Sequence, residues 1–238
     1  MRGHFRILQR TISACVLMLL AIQASAQSSW AEMELHLVLA FDVSASVNDD
    51  EFHLQRRGTA QAIRSELVSR AIADAPGGVA VAIIQWSSVT RQALGLDWVE
   101  LHSIEDAKNY ADDIDAMPRR IPGGGTMIHS GLSYASRLLE AAPRTARRQV
   151  IDIAGNGRGD DPDRLQAMRD KLLKEGIVIN GLAIEELKND LTSYFYRNVI
   201  GGTGAFVVTA SGFEDFSEAM QIKLHREIEG ASYATLTE

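Results

Sequence analysis

The sequence predicts an α/β fold: a doubly wound, mostly parallel sheet of about six strands with helices on both faces. Two observations carry this. From Leu35 onward, apolar runs of strand length alternate with segments of helical period. The strands are also apolar on both faces, as a parallel sheet covered on both sides requires. No internal repeat or low-complexity linker interrupts the alternation, so one domain is expected over residues 27–230, with a tail at 231–238.

The elements follow in order. Leu35–Phe41 reads as a buried strand. Residues 49–74 read as one helix with Phe52, Thr59, Ile63, Leu67 and Ala71 on a face, opened by a capping box from Asn48 and Glu51. Gly77-Gly78 breaks the chain before a second strand at 79–84, and residues 91–99 form a more polar strand suited to a sheet edge. Helical spacing returns at Ile104, Ala107, Ala111 and Ile114, then at Ile128, Leu132, Ala135, Leu139 and Ala142. Gln149–Ala154 is a strand. Asp161-Pro162 opens the next helix with an N-cap and a first-turn proline, and Gly176 closes it. A strand at 177–184, a short helix at 193–200, a strand at 205–209 and a helix at 213–228 complete the series.

Composition narrows the function by exclusion. The 238 residues carry 24 Lys+Arg against 31 Asp+Glu, a net charge of -7, with 46% hydrophobic and 23% charged residues. Those values fit a globular chain and argue against disorder, collagen and coiled coil. The acidic balance argues against a nucleic-acid partner, which needs a basic face. One cysteine, Cys15, excludes a disulfide framework and a multi-cysteine metal site.

The first residues have the pattern of an export signal. Arg2, Arg6 and Arg10 precede an apolar run from Ile12 to Ile22, and Ala24-Ser25-Ala26 supplies the small residues of a cleavage site. Cleavage after Ala26 is expected, which places the mature protein in the periplasm or outside the cell. The run is too short for a comfortable membrane span, so no stable span remains after cleavage. Retention as an uncleaved anchor is the alternative. Ile12-Ser13-Ala14-Cys15 passes a lipobox test, but a lipidated cysteine follows its apolar run and this one precedes it. Cleavage removes three arginines, no acid and the lone cysteine, which leaves a net charge of -10.

Three loops at strand ends hold the candidate chemistry, where ligands of open α/β sheets bind. The first, Asp42-Val43-Ser44-Ala45-Ser46, offers one carboxylate and two hydroxyls at alternate positions. Hard oxygens converging on a point suit Mg²⁺, Mn²⁺ or Ca²⁺. The same residues fit a plain structural role equally well, with Asp42 ending the strand and the serines capping the next helix. The second, Pro122-Gly123-Gly124-Gly125-Thr126, lets backbone approach closely and adds a hydroxyl; alone it reads more readily as a turn with Thr126 as N-cap. The third, Gly155 to Asp161, places Asn156 at a strand end and acids beyond it.

In this register and with this strand–helix order, the three loops resemble the von Willebrand factor type A domain, within an exported bacterial branch. The resemblance covers about residues 33–229. It implies a metal-ion-dependent adhesion site in which Asp42, Ser44, Ser46 and Thr126 bind or orient a divalent cation, with Mg²⁺ foremost and Mn²⁺ or Ca²⁺ as alternatives. It also implies a protein partner whose Asp or Glu completes the metal's shell, and binding without turnover. The family usually has aspartate in the third loop, where this chain has Asn156. An amide oxygen is neutral and a weaker ligand for a hard cation. Asp152, Asp160 and Asp161 are the acids nearby in sequence that could compensate. Two other readings stay open: a metal-free interaction module whose site has decayed, and a hydrolase using a metal-bound water with Asp160 or Asp161 as base.

Other signals are weaker. Arg158-Gly159-Asp160 is a tripeptide that recurs by chance, and His129-Ser130 lies in a helix with no nucleophile elbow. Tyr194-Phe195-Tyr196 reads as core, and Trp86 either walls the site or packs in the core.

Overall fold

The computed structural model describes residues 32–186 and 190–230, so the expected signal segment and tail lie outside the described residues. Six strands form one sheet: β1 (Glu32–Asp42), β2 (Val79–Trp86), β3 (Gln92–Leu101), β4 (Thr145–Gly155), β5 (Val178–Ile184) and β6 (Val207–Ala210). Their order is β3-β2-β1-β4-β5-β6. β3 runs antiparallel to β2 at one edge, and the other five strands are parallel. The chain winds from β1 outward to β3, then crosses back to β4 on the other side of β1. The reversal makes the carboxyl ends of β1 and β4 the topological switch point, and Asp42 and Gly155 are the last residues of those strands.

Helices cover both faces, as the two-sided apolar pattern requires. On one face lie α1 (Asp49–Arg64), α2 (Glu66–Asp74), α3 (Ile104–Ala116) and α7 (Phe216–Glu229), packed on Leu35, Leu37, Leu39 and Phe41 of β1. On the other lie α4 (Ile128–Glu140), α5 (Pro162–Lys174) and α6 (Leu191–Tyr194), packed on Val38 and Ala40. The alternation along β1 is the period of two that sends neighbouring side chains to opposite faces. All eight residues of β2 are buried. Trp86 is core: its Nε1 donates to the Ala40 carbonyl at 3.1 Å, and α4 presses Gly131 against its ring, where a Cβ would lie 2.8 Å from the indole.

Three expected elements differ in detail. The single helix over 49–74 is two helices that meet at Ser65. The Ser65 hydroxyl donates to the Ala62 carbonyl at 2.7 Å and accepts from the Val68 N–H at 3.3 Å, so it ends one helix and caps the next. That is the local competition with backbone hydrogen bonding that makes serine a boundary residue. The short helix expected at 193–200 is α6 followed by one π turn at Phe195–Val199, which buries Phe195 and Val199 and leaves Tyr196 exposed. Thr126 is not the N-cap of α4; Met127 holds that position without a side-chain bond.

Asp152 does not serve the loops. It is buried in β4, 2.7 Å from Lys223 Nζ of α7, and Lys223 also pairs with Glu227. Asn180 of β5 donates to Glu227 Oε1 at 3.1 Å. Two carboxyls around one ammonium, all inside, pin α7 to the sheet. Burial first, and then the neighbouring Glu227, push the Asp152 carboxyl well above the ordinary carboxylate range.

Candidate metal centre

The site begins with the turn after β1. The Ser44 N–H donates to Asp42 Oδ1 at 2.7 Å, which curls Asp42-Val43-Ser44 tightly at the strand end. Gln55 Nε2 of α1 donates to the Asp42 carbonyl at 3.1 Å and holds the turn from beneath. The Ser44 and Ser46 hydroxyls are 3.1 Å apart. The Ser46 hydroxyl donates to Asn156 Oδ1 at 2.7 Å, and Asn156 Nδ2 donates to the Ser46 carbonyl at 3.2 Å. Asp42, Ser44, Ser46 and Asn156 therefore form one hydrogen-bonded chain across the switch point between β1 and β4.

The glycine-rich loop closes the other side. Ala45 N–H donates to the Gly124 carbonyl at 2.9 Å, and a Cβ on Gly123 would lie 3.0 Å from Ala45 Cα. Arg91 donates to the Gly123 carbonyl, and the Ser87 hydroxyl to that of Gly125 at 3.3 Å. Thr126 is exchanged with the third loop: its N–H donates to Asp160 Oδ2 at 2.7 Å, and the Asp160 N–H returns to its carbonyl at 3.0 Å. Its side chain lies against Gly157, the residue after Asn156, with its methyl 3.4 Å and its hydroxyl 3.5 Å from a Cβ built there. Thr126 thus stands beside the chain of the other four residues without a hydrogen bond to them. Asp161 caps α5 through the Arg164 N–H at 3.0 Å. Both acids read as possible general bases are therefore engaged in holding loops.

Asp42 is the electrostatic centre. It is 1% exposed, and its Oδ2 has no hydrogen-bond partner. The Ser44 hydroxyl and the Asn156 backbone N–H lie close enough to favour its charge, but neither makes a well-formed bond to Oδ2. Burial dominates and raises the carboxyl from 3.8 to about 6, against the pull of those groups and of Arg119. Arg119 is fixed nearby by bonds of 3.0 Å each to the Val43 carbonyl and Asp49. A Cβ on Gly155 would come within 3.0 Å of Oδ2, so the residue type at 155 keeps that oxygen clear. An acceptor kept buried, unpartnered and unobstructed is expensive unless something cationic completes it.

The donor set fits a hard divalent cation: one carboxylate oxygen, two hydroxyls and an amide oxygen, with the Thr126 hydroxyl alongside. Among the described residues, no group of three or more His, Cys, Asp or Glu is arranged to hold a metal. Any metal here would therefore rest on neutral oxygens around Asp42. One neighbour of these loops has no signal in the sequence. Glu186, just beyond β5, has its carboxyl beside the Asn156 side chain and the Glu51 carboxyl. No motif marks it; only the pairing of β5 with β4 brings it there.

Comparison with solved structures gives the architecture a family context. Proximal thread matrix protein 1 from the mussel byssus, in a form with a zinc-occupied MIDAS motif, is similar over 84% of this chain and 47% of its own, at 21% identity and TM-score 0.59. The PilB minor pilin of Streptococcus sanguinis, as its D319A mutant, is similar over 86% of this chain and 64% of its own, at 12% identity and TM-score 0.61. The vWF domain of the type V pili tip protein Mfa5 from Porphyromonas gingivalis is similar over 82% of this chain and 97% of its own, at 10% identity and TM-score 0.53. The chain spans about half the length of the mussel protein. These likenesses establish the von Willebrand factor type A-like fold that the loops resembled. A search of curated proteins by sequence returned no match. By sequence, residues 32–232 match the model of the family described as "Protein of unknown function (DUF1194)", and the chain belongs to that family.

Proposed function

We propose that this is an exported, non-enzymatic binding protein that engages a protein partner through a divalent cation held at the switch point. Asp42 would be the charged ligand, Ser44 and Ser46 the hydroxyl ligands, Thr126 a switchable ligand and Asn156 a neutral contact reached directly or through water. The observation that carries this reading is Asp42 Oδ2, buried without a partner amid hydroxyl oxygens. A divalent cation bound there supplies a Lewis-acidic point for a partner's Asp or Glu. The protein's own acids would repel such a carboxylate, so the attraction has to be local. Adhesion-type neighbours, one with a zinc-occupied site and others from pili, support both the binding role and a location outside the cytoplasm. Mg²⁺, Mn²⁺ and Ca²⁺ all fit the oxygen set, and zinc joins them through the mussel protein. The expected signal cleavage after Ala26 accords with this location. Among the described residues, no helix is long and apolar enough to cross a membrane.

A second reading has its own observation. The Ser46–Asn156 pair already satisfies itself in both directions. This would suit a metal-free interaction module built on a decayed site. Crosslinking capture from intact cells, with and without EDTA, separates the two. The metal reading predicts a partner that is lost with EDTA and with Asp42→Ala. Capture that survives both contradicts it.

A further inference from the structure

The sheet ends at β6, two strands away from the switch-point strand β4, and its outer edge is open. β6 pairs with β5 in parallel, and among the described residues no strand lies on its other side. The Gly181 N–H donates to the Phe206 carbonyl at 3.1 Å, and the Glu185 N–H to the Ala210 carbonyl at 2.8 Å. Backbone groups alternate in direction along a strand, so the N–H and C=O of Val207 and Thr209 turn away from β5. Such an edge is a template for a further strand unless lysine, proline or a charge blocks it. Val207–Ala210 contains none of these.

Arginines flank this edge from both faces of the sheet. On one face, Val207 packs against the core that holds Phe195 and Val199 of the π turn. π turns recur at functional sites, and this one turns Tyr196 and Arg197 outward, with Tyr196 68% exposed. On the other face, Val208 packs in the core beneath α7. Phe206 shares that parity, and the Arg226 guanidinium of α7 lies 4.0 Å from the centre of its ring. A cleft of about 420 Å³ joins the two sides, with Thr192, Tyr196 and Arg197 on one and Phe206 and Arg226 on the other. Among the described residues, neither Arg197 nor Arg226 has a carboxylate partner, whereas Arg64, Arg119 and Arg158 each hold one. In a chain with 31 acids against 24 bases, two such guanidiniums beside an open edge suit a carboxylate from outside the chain.

We propose that the β6 edge takes an extended acidic segment of a protein partner as an added strand, with Arg197 and Arg226 receiving its carboxylates. Main-chain bonds to Val207 and Thr209 would give the affinity, and the arginines would give the selection. The placement of the arginines makes the selection specific. Successive side chains of a strand point to opposite faces, and the two arginines come from opposite faces. They therefore read acids at adjacent positions of the partner, and not acids separated by one residue, which lie on the same face. This surface uses no metal and stands apart from the switch point, so it does not depend on the reading of that site.

The test is fluorescence anisotropy of labelled, end-capped peptides titrated with the chain in EDTA, which keeps the switch point out of the measurement. Ser-Thr-Val-Glu-Asp-Thr-Val-Ser, with adjacent acids, should bind saturably. Its isomer Ser-Thr-Glu-Val-Asp-Thr-Val-Ser should bind about tenfold more weakly, having lost one charge-assisted contact. Arg197→Gln and Arg226→Gln should each weaken the first peptide about tenfold and abolish the difference between the two, with melting temperatures at the parent value. Methylating alternate backbone nitrogens of the first peptide, in each of the two phases, should abolish binding in at least one. No saturation by millimolar peptide, equal binding of the two isomers, or unchanged binding by both arginine variants overturns the proposal. Binding that tolerates methylation in both phases overturns the added strand. In sedimentation velocity without peptide, a monomer is expected; a dimer lost in Arg226→Gln would give the edge to a second copy and overturn the acidic partner.

Discussion

Asp42 concentrates the physics of the site in one carboxyl. Its folded-state value of about 6 lies above the ordinary 3.8 because burial outweighs its partners. A raised value means that ionisation costs stability. The penalty is absent below about pH 4, grows through about pH 6 and is complete above it. Two units correspond to about 3 kcal/mol at neutral pH. Asp42→Asn removes the charge and keeps the shape, so it should raise the metal-free melting temperature at pH 7 and leave it little changed at pH 4. Melting curves in EDTA across that range check this; a variant no more stable than the parent at pH 7 contradicts the buried-charge account. Gly155→Ala should act oppositely, since its Cβ would press on Oδ2 at 3.0 Å. A loss of roughly 1–3 kcal/mol is expected from such overpacking, read from denaturant midpoints at constant m-value. At this scale the sequence made the loops legible through Asp42, Ser44, Ser46, Thr126 and Asn156. It did not show their partners. Glu186 carries no motif and lies thirty residues beyond Asn156 in the chain, and contacts that depend on strand register have no local signature.

Elements were read most faithfully where a local signal punctuates them. The Asn48–Glu51 capping box and the Asp161-Pro162 start both have the expected bonds. The break at Ser65 was not legible, because apolar spacing continues across it from Ile63 to Leu67 and only the serine's two backbone bonds divide the helix. The charges under α7 were equally silent. Asp152 in a strand and Lys223 in an amphipathic helix look like surface residues until the sheet brings them together. Lys223→Met should lower stability by about 3–5 kcal/mol, because it leaves Asp152 and Glu227 buried without their cation. The triple replacement Asp152→Leu/Lys223→Met/Glu227→Leu should recover most of that loss. Chemical denaturation of both variants measures it, and an unaffected Lys223→Met would show that the pair adds nothing to the anchoring of α7.

For the whole molecule, the doubly wound plan follows from the two-sided apolar strands, and the site falls where that plan reverses direction, between β1 and β4. The fold was thus legible nearly throughout, because periodicity reports burial and burial determines which face each residue takes. The antiparallel β3 was legible only as an edge strand: its mixed burial shows in the polar alternation, and its direction does not. Across the molecule, acids outnumber bases by 31 to 24, so the carboxylate partner proposed above would be repelled at long range and its attraction would have to come from a cation at the switch point. Calorimetric titration of the protein with Mg²⁺ and Mn²⁺, parent against Asp42→Ala, tests this most directly. Saturable binding of about one ion by the parent and none by the variant is the expected result. No heat from the parent, or the same isotherm from both, would contradict it.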